Sequence, residues 1–351
     1  MVNFYYALTR RNSRIWSVCF LYICVASGGS YTEVVMKLII QIPCYNEEQT
    51  LRKTFVDLPK HIEGIDEIEH LIIDDGSTDG TLDVAKELGI RNIVTFKQNK
   101  GLAKGFMAGI DACLHLGADI IVNTDADNQY CGEDIAKLVN PIIQKKADIV
   151  IGERPIDSTE HFSWKKKKFQ HIGSFVVRMA SGTDIPDAPS GFRAYSRDAA
   201  LRLNVINDYT YTLETIIQAG RHKDSIESVP IRTNKETRKS RLFSSMWSYM
   251  KHSSTVIVRS FMMYEPLKFF ATLGIASIAI GMMIGIRFLV YYFNGEGGGH
   301  VQSLILVAIL ILLGIQSIIA GLQADITAAN RKILEEIQYR VRKSDCDKSL
   351  H

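Results

Sequence analysis

Two long apolar stretches without a charged side chain constrain this chain more than any other feature. Residues 301–324 carry no charge over 24 positions, and residues 269–286 carry none over 18. A helix that crosses the hydrocarbon core of a bilayer needs about 20 predominantly apolar residues. We therefore predict two membrane-spanning helices, at 267–293 and 301–323, joined by a glycine-rich connection at 294–300. This pattern excludes an ordinary soluble protein.

The preceding part of the chain follows a different pattern, in which short apolar runs alternate with helical segments. Strands are predicted at 37–43, 69–73, 92–96, 119–123 and 148–151, and helices at 47–58, 81–88, 102–116 and 134–145. Apolar runs joined by helices are typical of a parallel sheet that is covered on both faces. We therefore predict an α/β domain whose ligands bind at the carboxyl ends of its strands.

Polar motifs follow the first two strands and open the third helix. The first strand ends in Pro-Cys-Tyr-Asn-Glu-Glu at 43–48, the second ends in Asp-Asp-Gly-Ser-Thr-Asp-Gly-Thr at 74–81, and Asn-Lys-Gly stands at 99–101. Carboxylates at the end of a strand are placed to accept hydrogen bonds from a base or a ribose hydroxyl. The alternative for Ser77 and Asp79 is capping of the helix that follows.

The strongest single motif is Thr-Asp-Ala-Asp-Asn-Gln at 124–129, which directly follows the apolar strand at 119–123. Asp125 and Asp127 should therefore emerge at the ligand-binding edge of the sheet. Carboxylate oxygens two residues apart suit Mg²⁺ or Mn²⁺ that is shared with substrate phosphates. The alternative is a solvated acidic loop.

Taken together and in this order, these motifs resemble the family-two glycosyltransferases with the A-type nucleotide-sugar fold, over residues 37–242. The resemblance implies a Rossmann-like, metal-dependent catalytic domain that binds a nucleotide-sugar donor. It implies that the donor is held by Pro43, Tyr45, Glu47 and Asp75, with Lys100 and Asp125 also on the donor side. It further implies that the metal and the diphosphate are bound by Asp125, Asp127 and Gln129.

Four further segments, at 152–154, 190–193, 212–214 and 238–242, resemble the polyprenyl-phosphate branch of that family, with dolichol-phosphate mannose synthase and the bactoprenol glucosyltransferases. The branch usually has Leu where this chain has Asn128. The resemblance implies inverting transfer of one sugar from a UDP- or GDP-sugar to undecaprenyl or dolichyl phosphate. The product would be a lipid-linked sugar donor for cell-surface glycan or glycoprotein assembly.

The nature of the acceptor determines which side chains the reaction needs. A phosphate monoester is already ionised near neutral pH, since its second pKa is about 6, so it needs cations rather than a base. Guanidinium groups grip phosphate through paired hydrogen bonds, which makes Arg154 and Arg241 our candidates. Arg193 is a third candidate, although we favour a structural role for it, through a pairing with Asp187 or Glu214. A glycolipid or polysaccharide hydroxyl acceptor would instead need a general base, which Asp187 or Glu214 could supply.

The first 35 residues differ from the rest. Basic residues precede an apolar run at 15–26 and then small residues at 27–30, a pattern typical of a signal peptide. That run has 12 residues and is short for a membrane span. We favour the alternative, an upstream extension, because the chemistry above uses a cytosolic nucleotide. A non-catalytic membrane scaffold with a dead transferase domain is disfavoured, because Asp125 and Asp127 are intact.

The expected organisation is an extension at 1–35, a catalytic domain at 36–241, interfacial amphipathic helices at 242–266, a transmembrane hairpin at 267–324 and a basic tail at 325–351. Lys and Arg flank the outer ends of the hairpin, and Glu296 is the single full charge in its connection. The positive-inside rule therefore places the catalytic domain and the C-terminus in the cytosol of a multi-pass plasma-membrane protein.

The remaining expectations concern partners. Between residues 221 and 268 there are 10 Lys and Arg against 4 Asp and Glu, which favours contact with anionic membrane lipids. For the whole chain, 41 Lys and Arg against 38 Asp and Glu is too even a balance for a nucleic-acid-binding protein. Gly281 and Gly285 form a G-x-x-x-G motif that would support a homo-oligomer through the membrane helices, with ordinary span composition as the alternative.

Overall fold

The computed structural model describes residues 35–155, 181–205, 211–234, 262, 265–295 and 301–349. The described elements lie in one compact unit, Met36–His351. Outside the described residues lie the predicted N-terminal extension apart from Val35, almost all of the predicted interfacial helices, and the candidate Arg241.

A single seven-stranded sheet forms the centre of the domain. Its strands are β1 (Lys37–Cys44), β2 (Glu67–Asp74), β3 (Asn92–Thr95), β4 (Ile120–Asn123), β5 (Ile149–Glu153), β6 (Arg193–Ser196) and β7 (Ile226–Pro230), in the order β3-β2-β1-β4-β6-β5-β7. The pairs among β1 to β4 are parallel, as predicted. β6 was not predicted; it lies antiparallel between β4 and β5. The sheet is therefore mixed rather than wholly parallel.

Helices cover both faces of this sheet. They are α1 (Leu51–Asp57), α2 (Thr81–Glu87), α3 (Leu102–His115), α4 (Ile135–Ile143), α5 (Arg197–Arg202) and α6 (Thr212–His222). Successive side chains of a strand point to opposite faces. Accordingly Ile39 packs in one apolar cluster with Phe106 of α3, whereas Ile40 packs in another with Leu138 of α4. The central strands are largely apolar because both of their faces are buried, β4 along its whole length and β1 at residues 38–42.

Two long apolar helices follow, α7 (Pro266–Phe293) and α8 (Val301–Ser349), each long and apolar enough to cross a membrane. They pack closely, since a Cβ added to Gly274 would lie 2.6 Å from the backbone oxygen of Gly314. A Cβ on Gly281 would lie 3.2 Å from Leu310 of α8. Gly281, assigned from the sequence to a possible contact between chains, is thus used for packing within one chain.

The predicted basic tail is the direct continuation of α8. Its helix packs on the catalytic domain, where the Tyr339 hydroxyl donates to Asp198 Oδ1 at 2.6 Å and Arg342 donates to the Leu203 carbonyl at 2.6 Å. Cys346 on the same face is buried in the core. The spacing of Tyr339, Arg342 and Cys346 places them on one side of a helix, a signal that the charge count of the tail conceals.

Candidate functional site

The polar motifs meet at the carboxyl ends of β1, β2 and β4. Asn123, the last residue of β4, connects the segments around them through hydrogen bonds. Its Nδ2 donates to the Gly191 carbonyl at 2.9 Å and to the Tyr211 hydroxyl at 2.8 Å. Its Oδ1 accepts from Gln41 of β1 at 2.9 Å. The loop that begins at Thr124 therefore follows directly on a residue that is buried and hydrogen-bonded.

Asp125 lies against the backbone of Gly191, because a Cβ at residue 191 would come within 3.3 Å of Asp125 Oδ2. Burial, the charge of Asp127 and the charge of Glu47 raise the pKa of Asp125. A hydrogen bond with Tyr130 and the positive charge of Arg154 act in the opposite direction. Burial is the largest of these causes, and the positive charge of Arg154 offsets only part of the rise in the pKa of Asp125.

The rest of the acidic loop is a tight turn. The backbone N–H of Gln129 donates to Asp127 Oδ1 at 3.1 Å, and Asn128 adopts a φ of 57°. Asn is among the few residues that enter this left-handed region readily, whereas bulkier residues are strained there. The backbone of this chain thus accounts for Asn at position 128.

A divalent cation fits these residues. Among the described residues, no group of three or more His, Cys, Asp and Glu side chains is arranged to hold a metal alone. Mg²⁺ is typically bound through one or two carboxylates together with substrate phosphates. Asp125 and Asp127 form such a pair, and the pKa of Asp125 is raised first by burial and then by the charge of Asp127. Asp125 and Asp127 would hold the ion, and the part of Gln129 in binding it stays a prediction.

Asp75 organises the donor side of the site. Its two carboxylate oxygens accept from the backbone N–H groups of Lys100 at 2.7 Å and Gly101 at 2.9 Å. The Lys100 ammonium lies 4.6 Å from the centre of the Phe96 ring. The predicted motifs at 74–81 and 99–101 are therefore brought together, and Asp75 fixes the loop that carries Lys100.

The first motif is bonded to the second in the same way. The N–H of Glu47 donates to Thr81 Oγ1 at 2.8 Å, and the Thr50 hydroxyl donates to Glu47 Oε2 at 2.6 Å. Asp79 accepts from the Thr81 N–H at 3.1 Å, which is a turn contact, whereas the N-cap of the helix that follows is Gly80 and no side chain caps it. Pro43 lies at the end of β1, and Tyr45 is 41% exposed at the rim, accessible to a ligand.

Arg154 and Asp187 form the centre of the opposite side. Arg154 Nε donates to Asp187 Oδ2 at 2.7 Å and its NH2 group donates to Oδ1 at 2.9 Å. Asp187 is fully buried, and its charge raises the pKa of Arg154. A buried carboxylate that is bonded through both oxygens is poorly placed to accept a substrate proton. Asp187 holds Arg154, which favours the expectation that the acceptor needs no base over the alternative in which Asp187 is the general base.

Arg193 has the structural role that was favoured for it over acceptor binding, through Ser190, Thr215 and Ala188. It is fully buried, and its Nε, NH1 and NH2 groups donate to the Ser190 carbonyl, Thr215 Oγ1 and the Ala188 carbonyl, each at 2.7 Å. These bonds use its donors to shape the 188–193 loop, so we withdraw Arg193 from the acceptor-phosphate set. Glu214 is buried in the first turn of α6, and its role stays a prediction.

Sequence reasoning missed two aromatic residues near the acidic loop, Tyr130 directly after it and Tyr211 bonded to Asn123 at the end of β4. Tyr130 interacts with Asp125, accepts from the Gly191 N–H at 3.2 Å and stacks on Phe192. Tyr211 stacks on Phe106 with ring centres 3.8 Å apart. Tyr130 could have been found from the sequence, since it is an aromatic residue directly after an acidic loop. Tyr211 could not, because it lies 88 positions from its partner Asn123.

Known proteins resemble this chain in sequence and in fold. The model of glycosyl transferase family 2 matches residues 39–203. A UDP-N-acetylglucosamine–dolichyl-phosphate N-acetylglucosaminyltransferase of Methanococcus voltae is 33% identical over 55% of this chain and 83% of its own length. An undecaprenyl-phosphate mannosyltransferase of Micrococcus luteus is 29% identical over 56% of this chain and 83% of its own.

One set of solved structures has the same fold. Glucosyl-3-phosphoglycerate synthase from Mycobacterium tuberculosis, in complex with Mn²⁺, uridine diphosphate and phosphoglyceric acid, superposes with a TM-score of 0.51 at 16% identity. The match covers 65% of this chain and 78% of that one. The predicted A-type fold is thereby confirmed.

Proposed function

The chain belongs to glycosyl transferase family 2, and from that premise we propose that it transfers one sugar, with inversion, from a UDP- or GDP-sugar to polyprenyl phosphate. The observation that carries the choice of acceptor is Arg154, whose guanidinium is fixed by the buried Asp187 and whose charge acts on Asp125. A fixed cation beside the donor carboxylates suits an acceptor that is itself an anion. Relatives that act on dolichyl and undecaprenyl phosphate support this choice.

The residues divide the work between donor and acceptor. Pro43, Tyr45, Glu47 and Asp75 with the Lys100 loop bind the nucleotide, and Asp125 and Asp127 hold the donor diphosphate through Mg²⁺ or Mn²⁺. When bound, the ion stabilises the charge that develops on the departing diphosphate. Arg154 orients the acceptor phosphate, one of whose oxygens forms a bond to the anomeric carbon as the bond from that carbon to the diphosphate breaks. Attack from the opposite face inverts the configuration.

The membrane part of the proposal places the lipid acceptor near this site. We propose that α7 and α8 span the plasma membrane, with the catalytic domain and the C-terminal end of α8 in the cytosol, as the distribution of Lys and Arg favours. A cysteine introduced at Asn294, at the end of α7, should react only with reagent added from outside the cell. Labelling from the cytosolic side alone would overturn the topology.

A homo-oligomer through the membrane helices also remains a proposal. It would have to use a helix face other than the glycines that α7 and α8 bury against each other. Cross-linking of the full chain in membranes would test it.

The test of the function uses membranes that contain the full chain, each labelled UDP- or GDP-sugar in turn, and undecaprenyl or dolichyl phosphate. We expect a labelled lipid that forms with one donor, is lost with EDTA and is restored by Mg²⁺ or Mn²⁺. Membranes with Asp127→Asn serve as the control. Sugar transfer to a glycolipid hydroxyl, with none to either polyprenyl phosphate, would overturn the proposal.

A further inference from the structure

The short segment after β7 runs antiparallel to the acidic loop. Tyr130 and Thr233 form an isolated antiparallel bridge. The Asn234 N–H donates to the Gln129 carbonyl at 2.8 Å, and the Cys131 N–H donates to the Arg232 carbonyl at 3.4 Å. The chain thus returns to the acidic loop about 100 positions later and pairs with it.

Asn234 bonds to this loop through its side chain as well. Its Nδ2 donates to the carbonyls of Asn128 and Tyr130, at 3.2 Å each, with Asp57 Oδ2 at 3.5 Å. An amide NH₂ group has two donors, so one side chain can satisfy two carbonyls that lie two residues apart. Asn128, which carries one of these two carbonyls, is the residue with the φ of 57°. A backbone in that region persists when its surroundings hold it there.

Asn234 is itself held independently of these side-chain bonds. The neighbouring Arg232 donates from its backbone N–H to Asp134 Oδ2 at 2.6 Å and from its guanidinium to both oxygens of the same buried carboxylate. Removing the amide of Asn234 therefore leaves the segment after β7 attached to the domain. What it removes are the side-chain bonds to the carbonyls of Asn128 and Tyr130, whereas the backbone bond from the Asn234 N–H to the Gln129 carbonyl remains.

We propose that Asn234 is a positioning residue, which fixes the turn at 127–130 so that Asp127 faces the donor diphosphate and its cation. This inference rests on the proposed function, and it deepens the account of the donor site. Asn234 acts through the loop backbone and not by contact with the reacting atoms.

The test compares Asn234→Ala, Asn234→Asp and Asn234→Ser in the full chain, purified in detergent. Asn92→Ala is the matched control, because Asn92 on β3 donates to Glu69 Oε2 at 2.9 Å, away from the acidic loop. The readouts are Mn²⁺ affinity with UDP and with GDP, measured by electron paramagnetic resonance, together with kcat and both KM values. Circular dichroism reports whether each variant folds.

We expect Asn234→Ala and Asn234→Asp to weaken Mn²⁺ affinity about tenfold, the effect of losing one to two hydrogen bonds. The KM for polyprenyl phosphate should stay at the wild-type value. Asn234→Ser, which keeps a hydroxyl donor, should recover part of the affinity even if the other variants fail to fold. Wild-type Mn²⁺ affinity in folded Asn234→Ala, or an equal loss in Asn92→Ala, would overturn the inference.

The result separates this inference from the proposed function. If the wild type transfers no sugar to any polyprenyl phosphate but binds Mn²⁺ with a nucleoside diphosphate, the acceptor assignment fails and the Asn234 measurement still stands. If the wild type binds no Mn²⁺ in the presence of UDP or GDP, the positioning role of Asn234 is refuted with the metal site.

Discussion

The two sides of the site are held together by opposite kinds of hydrogen bond. On the donor edge, residues 44–48, 74–81, 96–101 and 124–129, carboxylates accept from backbone N–H groups and hydroxyls, as Asp75 does from Lys100 and Gly101. On the acceptor edge, residues 152–154 and 187–193, guanidinium groups donate to a carboxylate and to carbonyls, as Arg154 does to Asp187. The donor edge is thus organised around anions and the acceptor edge around cations.

Under the proposed function, this difference would let one site accommodate two anionic substrates. On the donor edge, Asp125 and Asp127 would hold a divalent cation, which would supply positive charge to a bound diphosphate. The acceptor edge instead provides a fixed guanidinium, which an anionic acceptor can approach directly. The edges meet at Asp125, whose pKa is raised by Asp127 and lowered by Arg154.

The largest effect should come from the removal of charge on the donor edge. We expect Asp127→Asn to lower turnover by about 10³, because several kcal/mol of charge stabilisation at the leaving group would be lost. The measurement is initial rate at saturating donor and acceptor. Asp83→Asn, at an exposed position of α2, is the control and should retain its rate. Normal turnover by folded Asp127→Asn protein would remove the contrast between the two edges.

Changes on the acceptor edge should be smaller and should act on the other substrate. Arg154→Lys should raise the KM for polyprenyl phosphate about tenfold or more, because an ammonium cannot reproduce paired guanidinium bonds. The KM for the donor should change little. Separate titrations of donor and lipid in the same preparation would measure both values.

Asp187→Asn distinguishes a residue that positions Arg154 from a general base. It should cost less turnover than Asp127→Asn, since Asp187 holds Arg154 and takes no proton. A loss as severe as that of the metal-site variant, with donor and lipid still bound, would instead favour a general base and the hydroxyl acceptor.

Gly109 on α3 allows a test of how closely this helix packs on the strands beneath the donor edge. A Cβ there would lie 2.3 Å from Oε1 of the buried Gln41 and 2.8 Å from Ile73. We expect Gly109→Ala to destabilise the fold by about 1–3 kcal/mol, which thermal unfolding would detect as a lower midpoint. Gly105→Ala is the matched control, because its nearest neighbour would be 3.7 Å away. Equal stability of the two variants would contradict the close packing seen beneath the donor edge.

The sequence predicted the strands and motifs of the donor edge better than those of the acceptor edge. β1, β2 and β4 were predicted because each contains a run of apolar residues that is buried in the sheet and leads directly into a polar motif. β6 was missed because its four residues, Arg193–Ser196, carry a weak pattern, and its place in the sheet depends on β4, about 70 positions earlier. Local patterns specify elements well but do not specify distant partners.

The same reason explains the errors within the site. Asp187 has several basic residues within reach in the sequence, and only the folded chain selects Arg154, 33 positions away. Arg193 was grouped with the phosphate ligands because residue type alone does not reveal that it is fully buried. The α8 extension was taken for a tail because its charges are frequent, although its docking face was present in the spacing of Tyr339, Arg342 and Cys346.

The smallest expected effect concerns stability and lies where the two edges meet. The pKa of Asp125 is raised in the folded protein by burial and by Asp127, so the unfolded chain loses this proton at a lower pH than the folded protein does. The metal-free wild type should therefore lose stability as pH rises from the ordinary carboxyl pKa to the raised one. Asp125→Asn avoids that loss and should unfold at a higher temperature in EDTA near pH 8, by about 2–4 °C for each kcal/mol recovered.

The advantage of Asp125→Asn should disappear below about pH 3.5, where the carboxyl is protonated in both states. Mn²⁺ with the donor nucleotide should reverse it near pH 8, because only the wild type gains stability from binding. Differential scanning calorimetry with and without the ligands would measure all three conditions. A lower midpoint for Asp125→Asn in EDTA would mean that Arg154 already balances Asp125, and that the donor edge does not depend on a bound cation for its charge balance.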